Sequence, residues 1–175
     1  MEHAYHPESW RDLYVMLGTS SAALIGLLFV ATSLHLDEIV NDPVYRIRAR
    51  NNSIYLLMPL VEAALVLSPQ PMAFLGAELF AINFFMLWLP LRNVYSFFYK
   101  DRELSGRSGW RMYRAVAFIG GLLLGAAAGI CLIVGLGWSL HLLTASCVTF
   151  LVTVAMNAWS IMLGVGRSET KAKKR

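Results

Sequence analysis

Glu62 and Glu78 are the acidic side chains of this chain that most need a chemical role. Of the eleven Asp and Glu residues, these two alone have no water-facing segment within several residues on either side. Glu62 lies six residues before Ser68, and Glu78 lies seven after Pro71. If the flanking apolar runs are helices folded at Ser68-Pro69-Gln70-Pro71, both acids sit about 9–11 Å from the turn at 1.5 Å per residue. In a hydrocarbon core with a half-thickness of about 15 Å, that is nearer the middle than the surface. An ionised carboxylate is costly there unless it is paired, hydrated or protonated. Two acids at one depth fit a buried polar site that binds or passes cations or protons. Two further roles suit the same residues: hydrogen-bonding the helices into place, and recognising a polar group in the membrane span of a partner protein.

The surrounding residues extend this expected site. Asn52, Tyr55, Pro59 and Glu62 recur at intervals of three, four and three residues, which gives one helix a polar face. Pro59 leaves the Tyr55 carbonyl without its helical donor, so it is the expected hinge. In the last apolar run, Ser146, Thr149, Thr153, Asn157 and Ser160 fall on a single helical face. The expected ion-binding or polar site therefore comprises Glu62, Glu78, Tyr55, Thr153 and Asn157. No His-Glu-x-x-His, paired Asp, Gly-x-Ser-x-Gly or Cys-His cluster occurs, and no intramembrane base could activate a nucleophile, so no catalytic residue and no cofactor are expected. The lone His3-x-x-His6 pair on a short polar terminus is not expected to hold a metal. Cys131 and Cys147 lie inside apolar runs and read as structural thiols.

Positioning these side chains requires membrane helices. Of 175 residues, 57% are apolar and 15% charged, against about a quarter charged in soluble domains. Five runs approach the roughly 20 residues that cross a bilayer: 13–34, 51–67, 72–91, 115–136 and 138–165. They use most of the chain, which predicts an all-α bundle forming a single domain over residues 1–175. Fourteen of the fifteen basic residues fall after spans one, three and five, and only Arg11 precedes the first. By the positive-inside rule this predicts an N-out, C-in multi-pass protein of the bacterial inner membrane. The same distribution accounts for the net charge of +4 without a nucleic-acid partner. The first twelve residues lack the basic start of a signal peptide, so no cleavage is expected.

Small residues suggest where helices touch. Gly18, Ala22 and Gly26 form a ridge in span one, and Gly121, Gly125 and Gly129 form a stronger one in span four. Such ridges let backbones approach in lipid. The first is expected to serve packing within the bundle, and the glycine faces together predict a homo-oligomer. Pro43 is expected to break any helix between Asp37 and Arg50, leaving a solvated loop whose Arg46, Arg48 and Arg50 can touch anionic lipid at about 1 kcal/mol each. The aromatic and basic stretch from Pro90 to Lys100 either lies in the interface plane or extends the third helix. Residues 167–175 read as a basic cytoplasmic tail.

The segment Ala22-Ala23-Leu24-Ile25-Gly26-Leu27-Leu28-Phe29-Val30-Ala31, ending Ser33-Leu34-His35-Leu36, resembles the opening of a family of small, largely uncharacterised bacterial inner-membrane proteins. Some members are called modulators of a membrane-bound AAA protease. The resemblance reaches over the first two spans and the Pro-Gln turn. It implies a regulatory, non-enzymatic role and a membrane-protein partner, and carries over no functional residue.

Overall fold

The structure, a computed structural model, describes residues 7–34, 36–41, 43–100 and 108–172; within these ranges some side chains, Asn157 among them, lie outside the described residues. All regular structure among the described residues is helical. α1 spans Pro7–Leu34, α2 Leu36–Asn41, α3 Pro43–Leu67, α4 Met72–Lys100, α5 Ser108–Val134 and α6 Ser139–Ala172. Three stretches are long and apolar enough to cross a membrane: Glu8–Leu34, Val116–Val134 and Ser139–Met156. The apolar parts of α3 and α4, Asn52–Leu67 and Met72–Trp88, are shorter.

Several boundaries differ from the sequence expectation. Pro43 opens α3 rather than breaking a helix, and α2 and the start of α3 lie where a loop was expected. At a first helical position the missing N–H of proline is one that would lack an intrahelical partner anyway. Arg46 and Arg50 are therefore exposed side chains on the first turns of a helix. The helix of α6 runs on to Ala172, through the start of the expected tail, and α4 continues to Lys100.

The two tight connections have different chemistry. At the first, the α3 end is closed by the Ser68 N–H on the carbonyls of Ala64 and Leu65, and α4 starts on the Pro71 carbonyl, which accepts from Leu75. At the second, the Leu136 N–H reaches the Cys131 carbonyl and the Gly135 N–H that of Leu132. This Schellman closure needs the positive φ of 79° at Gly135, which glycine adopts without steric cost.

α3 and α4 are consecutive but touch each other little. α4 packs along α5, α5 along α6, and α6 along α3, while α1 lies chiefly along α3. The arms of the expected hairpin are therefore held mainly by other helices. The interior divides into two apolar clusters. One includes Leu17, Val66, Leu79, Leu132 and Leu143. The other includes Leu56, Met58, Leu122, Phe150 and Val154, and there the Tyr55 and Phe118 rings stack at 4.0 Å.

Glycines allow the closest helix approaches. A Cβ on Gly129 would stand 2.7 Å from the Gly76 carbonyl oxygen and the Phe80 nitrogen, so the backbones of α4 and α5 meet there. Gly121 makes room for the Phe150 ring of α6, and Gly18 lets Ala63 of α3 approach. The ridge of Gly121, Gly125 and Gly129 is thus spent inside the chain, which removes it as the face for a second copy. Gly26 is exposed, with nothing within 4 Å of where its Cβ would be.

Candidate functional site

Along α3, α4, α5 and α6, polar or small residues mark where the two apolar clusters meet. On α3 these are Pro59 and Glu62, between Met58 and Ala63; on α4 it is Asn83, which follows Leu79 of the first cluster and lies between Ile82 and Met86 of the second. On α5 it is Gly125, between Leu122 and Ala128; on α6, Cys147 closes one cluster and Phe150 opens the other. These positions form a polar waist.

Glu62 is at its centre and has no exposed surface. Its Oε1 accepts a hydrogen bond from Asn83 Nδ2 at 2.9 Å, and its Oε2 accepts one from the Cys147 thiol at 3.1 Å. One carboxyl therefore joins α3, α4 and α6. Asn83 Nδ2 also donates to the Leu79 carbonyl at 2.9 Å. The carboxamide lies where a Cβ on Gly125 would be, 2.6 Å from that position at its Cγ, so only glycine leaves space for it. Its Oδ1 is buried without a hydrogen-bond partner. The hydrogen that replaces the missing Cβ of Gly125 points into the carboxamide, and a Cα–H is a weak donor.

Side-chain lean explains this pairing. A Cα–Cβ bond tilts toward its helix N-terminus. In α3 that direction runs away from the Ser68 turn, and in α4 it runs toward it. Glu62, about 9 Å from the turn, and Asn83, about 18 Å from it, therefore lean toward each other. Glu78, about level with Glu62, also leans toward the turn and so away from Glu62. It is exposed, and its Oε2 accepts from Gln70 Nε2 at 3.0 Å while the same nitrogen donates to the Leu65 carbonyl at 3.2 Å. Glu78 thus belongs to the clamp on the turn. Although the two acids share a Cα depth, the structure does not bring them together.

The other expected residues are also spread out. Tyr55 is buried seven residues before Glu62, about 10 Å away along the helix. Thr153 is buried six residues beyond Cys147, beside the second apolar cluster. Asn157 lies outside the described side chains. Pro59 is buried in a helix that continues on both sides of it. Near it, the Ser21 hydroxyl of α1 donates to the Leu56 carbonyl of α3. The polar stripe of α6 serves separate purposes: Ser146 donates across to the Gly121 carbonyl at 2.8 Å, and Thr149 satisfies itself on the Ala145 carbonyl at 2.7 Å. At the end nearer the Ser68 turn, the Tyr14 hydroxyl ties α1 to α6 through the Leu140 carbonyl at 3.0 Å, and Trp10 meets His141 edge-on at 4.6 Å.

Asn83 and Cys147 are the site residues the sequence reading missed. Lean along the helices would have found Asn83 as the polar residue of α4 that Glu62 can reach. Cys147 carries no such signal, since no short turn relates α6 to α3. Among the described residues no three His, Cys, Asp or Glu side chains converge as metal ligands. Compared with protein families, curated proteins and solved structures, the chain matches none. What the waist offers chemically is one carboxyl in apolar surroundings, touched by two donors and, among the described residues, by no cationic side chain.

Proposed function

We propose that this chain is a non-enzymatic bacterial inner-membrane protein in which Glu62 takes up a cation, a proton or a small metal ion, inside the bundle. The observation that carries this reading is the full burial of Glu62 between two apolar clusters, with neutral donors in place of a counter-ion. A permanently charged carboxylate without a cation is expensive at membrane depth, whereas one that gains a positive charge is not. Five spans in the N-out, C-in sense accompany the proposal. The shorter apolar parts of α3 and α4 are accommodated by local thinning of the bilayer and by snorkelling flanks such as Arg46 and Arg50.

Reconstituted vesicles test the reading. Proton, sodium or potassium flux through the wild type should fall at least about tenfold in Glu62→Gln, as loss of about 1.4 kcal/mol of ion binding implies. Orientation is tested by single cysteines in a background lacking Cys131 and Cys147. Position 68 should label from outside and position 105 only from inside; outside labelling at 105 overturns the topology.

A second reading has its own support in Glu78. This carboxyl is exposed on α4 at membrane depth beside Ala77 and Ala81, with Phe74, Phe84, Phe85 and Trp88 exposed on the same helix. A regulatory or scaffolding subunit would use that face to bind another membrane protein, as the resemblance of span one implies. No flux in the wild type, together with a stable co-purifying partner lost in Glu78→Leu, decides for this reading.

A further inference from the structure

We infer that the ion taken up by Glu62 is a proton, to the exclusion of metal cations; this rests on the uptake reading and specifies its ligand. The arrangement of donors carries the inference. Both carboxyl oxygens already face hydrogens, from Asn83 on one side and Cys147 on the other. A metal ion needs lone pairs, about six to eight oxygens in the case of calcium. The other oxygen of the bonded partner, Asn83 Oδ1, is turned to Gly125. Bringing it round would break two bonds from Nδ2, to Glu62 and to the Leu79 carbonyl. Apart from the Tyr55 carbonyl, which Pro59 leaves without its helical donor about two turns along α3 from Glu62, the backbone carbonyls of these helices are engaged in their own i to i−4 bonds.

A proton needs none of this. Each carboxyl oxygen that accepts one hydrogen bond keeps a second lone pair. Transfer from hydronium breaks one O–H bond of that ion, leaving water, and forms one O–H bond on Oε2, which takes the carboxyl from negative to neutral with no electron transferred. Oε1 continues to accept from Asn83, and the new O–H turns to the Cys147 sulfur, a weak acceptor, as the thiol hydrogen rotates away. The groups facing Glu62 are Asn83 from α4 and Cys147 from α6. Cys147 is the one titratable group among the described residues in contact with it. Glu78 leans away toward Gln70, and Tyr55 lies about two turns off along α3.

Infrared difference spectra of the full chain in phosphatidylcholine and phosphatidylglycerol vesicles test this. Acidification should raise the C=O band of a protonated carboxyl that is lost in Glu62→Gln. Cys147→Ala should shift that band by removing one hydrogen-bond partner, which assigns it even if the glutamine variant does not fold. Sodium, potassium or calcium added at constant pH and ionic strength should leave it unchanged. If one of these ions abolishes the band, the proton assignment falls and the uptake reading survives. A Glu62 carboxyl that responds to neither acid nor metal overturns both.

Discussion

A fully buried carboxyl depends on its few polar neighbours, and Glu62 is held by two. They are not equivalent. Asn83 holds Oε1 through an amide N–H that is also tied to Leu79, whereas the thiol of Cys147 is a weak donor. Asn83→Ala should therefore lower stability by about 1–3 kcal/mol, the cost of stranding a buried polar group. Cys147→Ala should cost less. Thermal unfolding in detergent, with both variants measured beside the wild type, ranks them; the reverse order would make the thiol the main support. At this scale the lack of a polar flank singled out Glu62, which is buried, but the same signal marked Glu78, which is exposed. The structure does not bring Glu78 to Glu62, because equal distance from the turn says nothing about which way a side chain leans.

Between helices, the glycines make the sharpest contrasts. Gly125→Ala would push a methyl group into the Asn83 carboxamide, so it should destabilise by about 1–3 kcal/mol through overpacking. Combined with Asn83→Ala, the added methyl gains space, and the double variant should be more stable than the sum of the single effects predicts. Strict additivity would mean that Gly125 and Asn83 are not coupled. Gly26→Ala meets nothing within 4 Å. It should stabilise by up to about 1 kcal/mol, the usual gain of alanine over glycine in a helix. Gly129→Ala should be the most harmful of the three, since its neighbours are backbone atoms that cannot rotate aside. The ridges were visible as spacing in the sequence. Their partners were not, because spacing marks a face without naming the helix opposite. Pro43 was misplaced for a related reason: proline forbids a helix interior yet favours a helix start, and only the chain beyond it decides between the two.

For the molecule as a whole, the Pro-rich turn and the apolar runs were enough to anticipate the long helices and their order. They did not anticipate that α3 and α4, joined by four residues from Ser68 to Pro71, would part and be held by α5 and α6. Nearest neighbours in sequence are not the default when other faces offer closer approach: α4 carries Gly76 opposite Gly129, while α3 offers α4 no such surface contact. This arrangement predicts how the turn responds to damage. Gln70→Ala removes the donor to both Leu65 and Glu78. It should raise hydrogen exchange locally in residues 65–72 while the waist stays protected, because Glu62 is held by α4 and α6 independently of the turn. Loss of protection at Glu62 and Asn83 in that variant would contradict this.

The polar waist also settles the register of the bundle. One helical turn to either side of Glu62 stand Met58 and Val66, around Asn83 stand Leu79 and Leu87, and around Cys147 stand Leu143 and Leu151. Apolar side chains of such similar size would tolerate a helix sliding by a whole turn. A slide of α4 would set a leucine against the carboxyl and strand both the acid and the amide away from water, a penalty of the kind that a single buried polar residue imposes on misaligned helices. Three residues out of 175 thus select one alignment among several that the leucines alone would accept.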